Sequence, residues 1–316
     1  MPTSQHRRQH WQLFQLGSGI IPNRKIRLFA GCDEESGWKD IKYLQTKTTL
    51  PEYGFSPDGN FPVMYAEKGM YEVEFCLPTL KNFKNLSGGT VVNAVCAYAK
   101  AQANSDGINE DLLKKYGLTV NGDVIESVGV SAHGSAPQLG KNALKPLFEY
   151  FLSLGEDVKN LLDCLFYDLK KVSTLNTEQG FVTFSPDLIR EENGKIYITC
   201  DCRIPAPLTI DDVKKVFDTF GIPYNVIERH PPMMVEKDGW FVNALLSAYN
   251  TVTGKSEKPV SMGGSTFARA FKKGCAFGPD FQTYDHCVHN ANERLSIEDI
   301  HSAYEIYKLA VINLIK

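Results

Sequence analysis

The sequence predicts an α/β protein interrupted by an α+β segment of antiparallel strands. Three observations carry this reading. Lys25 to Cys32 (KIRLFAGC) is an apolar-rich run of the kind a buried strand shows, followed by a helical pattern. Tyr71, Val73, Phe75 and Leu77 alternate with Glu72, Glu74 and Cys76, the period of a half-exposed antiparallel strand. From Trp240 onward, helical patterns and short apolar runs return.

Bulk properties narrow the class. The chain has 316 residues, enough for two domains with their own cores. Hydrophobic content of 43% and charged content of 22% are those of an ordinary globular protein. A net charge of −3 gives no basic footprint for nucleic acid. No apolar stretch is long enough to span a bilayer, and no signal peptide is read at the start. The eight cysteines are scattered and form no Cys-x-x-Cys pair, so reduced thiols and a cytoplasmic location are expected. Cys200 and Cys202 read as small buried residues of a strand.

The elements follow in order. Residues 1–17 are rich in Gln, His and Arg, lack periodicity and read as a tail. After the Lys25–Cys32 strand, Trp38, Ile41 and Leu44 mark one face of a helix. Tyr53–Ser56 reads as a short strand ending in the turn Pro57-Asp58-Gly59-Asn60, and Phe61–Ala66 as an extended segment. Beyond the alternating strand near Gly69, Val91–Ala103 reads as a helix and Val124–Ala132 as a strand. Ala143–Leu154 and Glu156–Leu169 read as helices, and Lys195–Arg203 alternates again. Thr209 and Asp212 form a capping box for a helix to Phe220. Trp240–Thr253 is helical. Val260–Met262 leads into Gly263-Gly264-Ser265-Thr266, which opens a helix at Phe267–Phe271. Cys275–Gly278 is a short strand, and Ser296 caps a helix to Ile315 with apolar positions Ile300, Tyr304, Ile306, Leu309 and Ile312.

Several residues could carry chemistry. Asp33, Glu34 and Glu35 stand in a row at the end of the first strand, where carboxylates would repel one another and lose solvation. Strand ends of open α/β sheets bind ligands, so these residues point to a cation site, with one carboxylate ligating and its neighbour moving protons. A solvated acidic turn is the other reading. Glu35, Asp58 and His289 together make a mixed carboxylate and imidazole set that suits zinc, manganese or cobalt, although Asp58 alone reads as a turn residue and His289 as a polar loop residue. His133 is flanked by small residues that leave its ring room near a ligand. Arg203 ends a strand, with a guanidinium fork suited to a carboxylate or to a surface ion pair. Gly264, Ser265 and Thr266 lie at a helix start, where bare N–H groups cradle anions or simply make a tight turn.

In this order, these segments resemble the metal-dependent dipeptidases of the PepV and carnosinase type, within the aminoacylase and carboxypeptidase-like metallopeptidases. The carrying motifs are Asp33-Glu34-Glu35-Ser36-Gly37-Trp38, Gly54-Phe55-Ser56-Pro57-Asp58 with Phe61-Pro62, Glu67-Lys68-Gly69, Ser131 to Pro137 with Gly140-Lys141-Asn142-Ala143, Gly263 to Thr266, and His289 to Glu293. The match runs from about Ile20 to the C-terminus. The resemblance implies a zinc-peptidase-like catalytic domain, here incomplete, with an inserted α+β lid. Its bounds are a tail at 1–17, catalytic parts at 18–67 and 236–316, and a lid at 68–235. It also implies a dipeptide substrate of the Xaa-His or β-Ala type, two zinc ions and a monomer. Glu34 would be the general base. Glu35 and His289 would ligate one metal and Asp58 the other. His133 would hold substrate and oxyanion, and Arg203 the substrate carboxylate, aided by the loop through Gly264, Ser265 and Thr266.

The sequence departs from the pattern at its start. The resemblance calls for a His-x-Asp motif and a bridging aspartate. Yet His6 precedes Arg7-Arg8, His10 precedes Trp11-Gln12, and no acidic residue precedes Asp33. About three of five expected ligands are therefore present, and a truncated or frame-disrupted product is the simplest expectation. Weak metal binding and little activity follow, because a bridging carboxylate holds two cations about 3.5–4 Å apart. Two alternatives stand beside the impaired dipeptidase. One is a non-catalytic small-peptide-binding protein. The other is a hydrolase of N-acyl amino acids, which a comparison of N-acyl amino acids with dipeptides would separate.

Overall fold

The computed structural model describes residues 23–34, 37–167, 172, 174–283 and 292–316. The chain divides into two units. The first comprises residues up to Tyr65, Val235–Val260 and Thr266–Lys316; the second comprises Ala66–Met234 and Ser261–Ser265.

The first unit opens with an extended stretch. Lys25–Cys32 is not the buried strand that its composition predicts: it pairs with no strand among the described residues, and Leu28 is 94% exposed. An apolar run becomes a strand only where a neighbouring edge accepts its N–H and C=O groups. Phe29 instead lines a largely apolar cleft of about 450 Å³ with Phe55, Trp240, Phe241, Phe271 and Leu314. Helix α1 (Lys39–Lys47) follows, with Ile41 buried and Leu44 half-buried on the expected face. Strand β1 (Tyr53–Ser56) ends in the Asp58 turn, and β2 (Gly59–Asn60) and β3 (Val63–Glu67) come next. All five residues of β3 are buried, as suits a strand covered on both faces.

The second unit is built on an eight-stranded antiparallel sheet. Its strands are β4 (Gly69–Pro78), β5 (Phe83–Gly88), β6 (Tyr98–Ala103), β7 (Thr119–Asn121), β8 (Val124–Val128), β11 (Thr183–Glu192), β12 (Lys195–Ile204) and β13 (Tyr224–His230). Two short strands, β9 (Asn176–Thr177) and β10 (Gly180–Phe181), form a separate ribbon before β11, and β14 (Met233–Met234) pairs with the end of β3. The order across the large sheet is β13-β4-β12-β11-β5-β6-β8-β7. In β4, Tyr71, Val73, Phe75 and Leu77 face the core while Glu72 and Glu74 stay half-exposed, as the alternation predicts. Asn193 and Gly194, both at positive φ (51° and 70°), close the β11–β12 hairpin with the twist that two-residue hairpin turns require.

Residues 91–103 are not helical. Tyr98–Ala103 is a strand in which Ala99, Ala101 and Ala103 are buried between outward Lys100 and half-buried Gln102. Alanine favours helices, but here the two-residue period and the flanking strands decide. Helices α2 (Glu110–Tyr116), α3 (Leu144–Ser153), α4 (Lys159–Leu162) and α5 (Ile210–Phe217) supply the rest of the core, with Leu147, Phe148, Phe151 and Phe217 fully buried. The helix expected at 156–169 is shorter: α4 gives way at Asp163–Tyr167 to a wider π-type turn. The Thr209–Asp212 capping box forms as expected.

Back in the first unit, α6 (Trp240–Thr253) leads to β15 (Val260–Met262), which crosses into the second unit. Strands β16 (Lys273–Phe277) and β17 (Pro279–Asp280) and helix α7 (Ile297–Ile315) complete the chain. Strand β16 runs parallel to β1 and antiparallel to β3, and β17 runs parallel to β2. Helix α7 packs on α6, and Ala303, Ile306, Ala310 and Ile315 are its buried residues. Ile300 and Tyr304, expected on its inner face, are 54% and 62% exposed.

Candidate functional site

In the first unit, Asp33 and Glu34, the described residues of the acidic tetrad, lie outside any strand, ahead of helix α1. Asp33 is structural: its carbonyl accepts the Trp38 N–H at 3.0 Å and its carboxylate accepts the Lys39 N–H at 2.7 Å, capping α1. Glu34 is half-buried, and its carbonyl accepts the Trp38 indole N–H at 2.8 Å. Gly37 (φ 127°) and Trp38 (φ 61°) take the left-handed conformations that turn the chain, and the Trp38 ring meets Phe267 edge-on at 5.4 Å. A Cβ at Gly31 would lie 2.3 Å from the Phe267 ring, so this turn tolerates no larger residue there. For Asp33, the bond to the Lys39 N–H satisfies its carboxylate, which is the plain structural reading.

Asp58 is exposed just beyond β1. The β2–β17 ladder sets Gly59, its neighbour, opposite Pro279. Burial, and secondarily the Asp58 charge, pushes the Tyr307 phenol up; that hydroxyl donates to the Phe277 carbonyl at 2.9 Å. Among the described residues, no three His, Cys, Asp or Glu side chains group as a metal site. Asp58 is the one expected ligand among them, since Glu35 and His289 lie outside the described residues. By chemistry the set of two carboxylates and one imidazole fits a divalent cation.

In the second unit, the His133 turn, Arg203 and Gly263 come together. His133 lies in an exposed turn bridged to Ala94 by two backbone hydrogen bonds: Gly134 N–H to the Asn93 carbonyl at 2.7 Å, and Val95 N–H to the Ala132 carbonyl at 2.9 Å. Nδ1 of His133 accepts the Ser135 N–H at 3.2 Å and lies 2.7 Å from the Ser135 hydroxyl. This assigns the proton of the neutral ring to Nε2. A Cβ at Gly134 would lie 2.4 Å from an Asp201 carboxylate oxygen, so the small residue lets the turn pack on that carboxylate.

Arg203 is 2% exposed. Its Nε lies 2.7 and 2.9 Å from the two Asp201 oxygens, its Nη2 is 2.7 Å from one of them, and its Nη1 is 3.5 Å from the Gly263 carbonyl. Arg203 thus makes an ion pair, the alternative to carboxylate binding, but as a buried fork rather than at the surface, on the strand face shared with Asp201. A Cβ at Gly263 would meet Ser135 at 3.1 Å. The hydroxyls of Thr183, directly across the ladder from Arg203, and of Ser265 are buried without a hydrogen-bond partner among the described residues. Gly264 and Ser265 belong to this unit; Thr266 begins the return to the first, where its hydroxyl accepts the Ala268 N–H at 3.1 Å and caps a 3-10 turn at Phe267–Ala270 rather than the longer helix expected.

The sequence reading passed over Asp187. It is fully buried at a β-bulge between Pro186 and Leu188 in β11. Pro186 inside an otherwise strand-like run was the available signal, because proline in a strand interior marks a bulge or an edge. Cys200 and Cys202 are buried and free, as read.

The model of peptidase family M20/M25/M40 matches residues 15–313. The chain belongs to this family. By family the M20 chain is a metallopeptidase with a mixed α/β fold, which implies dependence on a divalent metal. It is 28% identical over 334 aligned residues to the Beta-Ala-Xaa dipeptidase of Lactobacillus delbrueckii subsp. lactis, an alignment covering 95% of this chain and 70% of that protein. Among solved structures it is similar in fold to aminopeptidase PepT from Bacillus cereus, with a TM-score of 0.50, 13% identity, and coverage of 90% of this chain and 63% of that one. The M20 chain therefore spans somewhat less than two thirds of the PepT chain. No helix among the described residues is long and apolar enough to cross a membrane.

Proposed function

We propose that this M20 chain takes a dipeptide by its free carboxylate, and that its chemistry by descent is dipeptide hydrolysis of the β-Ala-Xaa or Xaa-His type. The observation that carries the reading is the meeting, within the second unit, of the His133 turn, the Arg203 fork and the Gly263 carbonyl around Asp201. Two orphaned hydroxyls, of Thr183 and Ser265, support a polar ligand here, since buried hydroxyls are normally paired. Arg203 would bind the substrate carboxylate, aided by the N–H groups and hydroxyls of Gly264, Ser265 and Thr266. His133 would donate from Nε2 to the oxygen that gains charge at the scissile carbonyl. Glu34 would take a proton from the attacking water and return it to the leaving amine. Zinc, held by Glu35, Asp58 and His289, would acidify water and polarise the carbonyl.

With about three of five ligands, the M20 chain alone is expected to hold metal weakly and to hydrolyse little. Elemental analysis after dialysis against zinc or manganese, with β-alanyl-histidine as substrate, tests this. Two retained ions and robust metal-dependent hydrolysis would overturn the impairment. The second reading, peptide binding without catalysis, is favoured by one observation: the Arg203 cluster lies in a unit that contains none of the three candidate metal ligands. Binding of β-alanyl-histidine to metal-free protein supports it, and no binding in either form would remove the carboxylate site from both readings.

A further inference from the structure

The cleft of the first unit takes no part in the chemistry above, and its walls and its rim differ in character. Phe29, Phe55, Trp240, Phe241, Phe271 and Leu314 make it largely apolar, and all of them belong to that unit. Its volume of about 450 Å³ falls within the range of small-ligand sites. Apolar surface gathered in one concave place, rather than scattered singly, marks a place of interaction. One wall is the extended stretch from Arg24 to Phe29, in which Leu28 is 94% exposed.

The rim is basic. Arg24, Lys25 and Arg27 are exposed lining residues, and Lys273 donates to the Tyr53 hydroxyl at 3.0 Å. Glu52 is the one carboxylate among the described lining residues, and Lys273 lies 3.7 Å from it. The Arg24 guanidinium rests 4.3 Å over the Trp240 ring, and Nη1 of Arg27 donates to the Thr49 carbonyl at 2.8 Å. Neither contact supplies a full negative charge, so both guanidinium groups can still attract an anion. The Tyr53 oxygen accepts from Lys273 and, at 3.3 Å, from the Trp240 indole, which leaves its own O–H to donate. Lys273 first, and Trp240 second, hold that phenol below its ordinary pKa, which sharpens it as a donor. The whole chain carries a charge of −3, so the basic rim is a local feature and not a general attraction for anions.

We propose that this cleft binds a free medium-chain fatty acid, with its alkyl chain against the aromatic walls and its carboxylate at Arg24, Lys25 and the Tyr53 hydroxyl. Charge complementarity decides the head group, and the apolar walls decide the tail. A neutral alkyl ligand would leave the basic rim unused, and a wholly polar anion would leave the aromatic walls wet. A flat lipid surface would not reach Phe241, which lines the cleft and is 4% exposed, whereas a single alkyl chain can enter. The site stands apart from the Arg203 reading, because every residue it uses lies in the first unit.

The test titrates the full chain with octanoate, decanoate and octanol by calorimetry at about pH 7.5, where both acids are ionised and kept monomeric. Two further buried methylenes should make decanoate bind roughly tenfold more tightly than octanoate. Octanol, of the same length without the charge, should bind several-fold more weakly than octanoate, and added salt should weaken octanoate alone. Arg24→Gln combined with Lys25→Gln, at two exposed positions, should bring octanoate to the affinity of octanol and leave octanol unchanged. Phe29→Ser should weaken both alike. Octanol binding as tightly as octanoate, a rim variant that binds octanoate as wild type does, or an affinity that does not rise with chain length overturns the proposal. Absence of saturable binding by either acid overturns it as well. A chain that ignores octanoate but sediments with phosphatidylglycerol vesicles docks on a lipid surface instead, which is also a refutation.

Discussion

A Cβ added at Gly134 would lie 2.4 Å from an Asp201 oxygen and 3.1 Å from the Asn93 Cα. Neither neighbour is the free end of a flexible chain, because Asp201 is fixed by Arg203 and Asn93 by Asp187. Gly134→Ala should therefore cost about 1–3 kcal/mol, read by thermal unfolding, and weaken dipeptide binding in parallel. Unchanged stability would mean that the turn yields. Arg203→Lys keeps the charge but not the fork. It should lower β-alanyl-histidine affinity by roughly tenfold or more, a loss of at least one charge-assisted bond. Asp187 adds a pH signature to stability. Its folded-state carboxyl is raised to about 7 from 3.8, chiefly by burial. For a raised acid, the stabilising contribution is complete below the unfolded value and is lost as pH rises through about 7. At a raised carboxyl the loss is of order 2–4 kcal/mol between pH 5 and pH 8. Asp187→Asn should gain stability relative to wild type over that window, and a constant difference in melting temperature would contradict it.

At the level of elements, the connections between strands are held by buried polar groups as well as by apolar ones. Glu156, 4% exposed, accepts the Lys81 and Asn82 N–H groups at 2.9 and 2.8 Å and so fixes the link between β4 and β5. Glu156→Ala should destabilise by about 1–3 kcal/mol in denaturant titration, since two buried donors lose their acceptor. Elements with a strong period were legible beforehand: β4, α6 and the caps of α5 and α7 depend on neighbouring residues alone. The segment at 91–103 was not legible, because alanine's helix preference is overridden where neighbouring strands pair with it, and Lys25–Cys32 was not because an apolar run does not reveal whether a strand edge awaits it.

For the whole molecule, the two units each hold one part of the proposed chemistry, candidate metal ligands in the first and the Arg203 cluster in the second. Carboxylate binding is thus expected to survive chelation. Adding EDTA to the M20 chain should leave β-alanyl-histidine binding within about twofold, while any residual hydrolysis disappears. Loss of binding together with metal would show that the ligand needs the cation directly.

Motif spacing by itself determined the family, the α/β class and the residue types available for chemistry, because these depend on local pattern and composition. Tertiary structure alone decided that Asp33 caps a helix, that Arg203 is buried against Asp201, and that Asp187 is buried at a bulge where it accepts the Asn93 N–H. Asp187 is fourteen positions from Asp201, and Asn93 is ninety-four from Asp187, so only a folded sheet with a bulge brings them within hydrogen-bonding distance. Charges at such separations do not interact in an extended chain in water; they do so once burial lowers the local dielectric and removes the screening solvent.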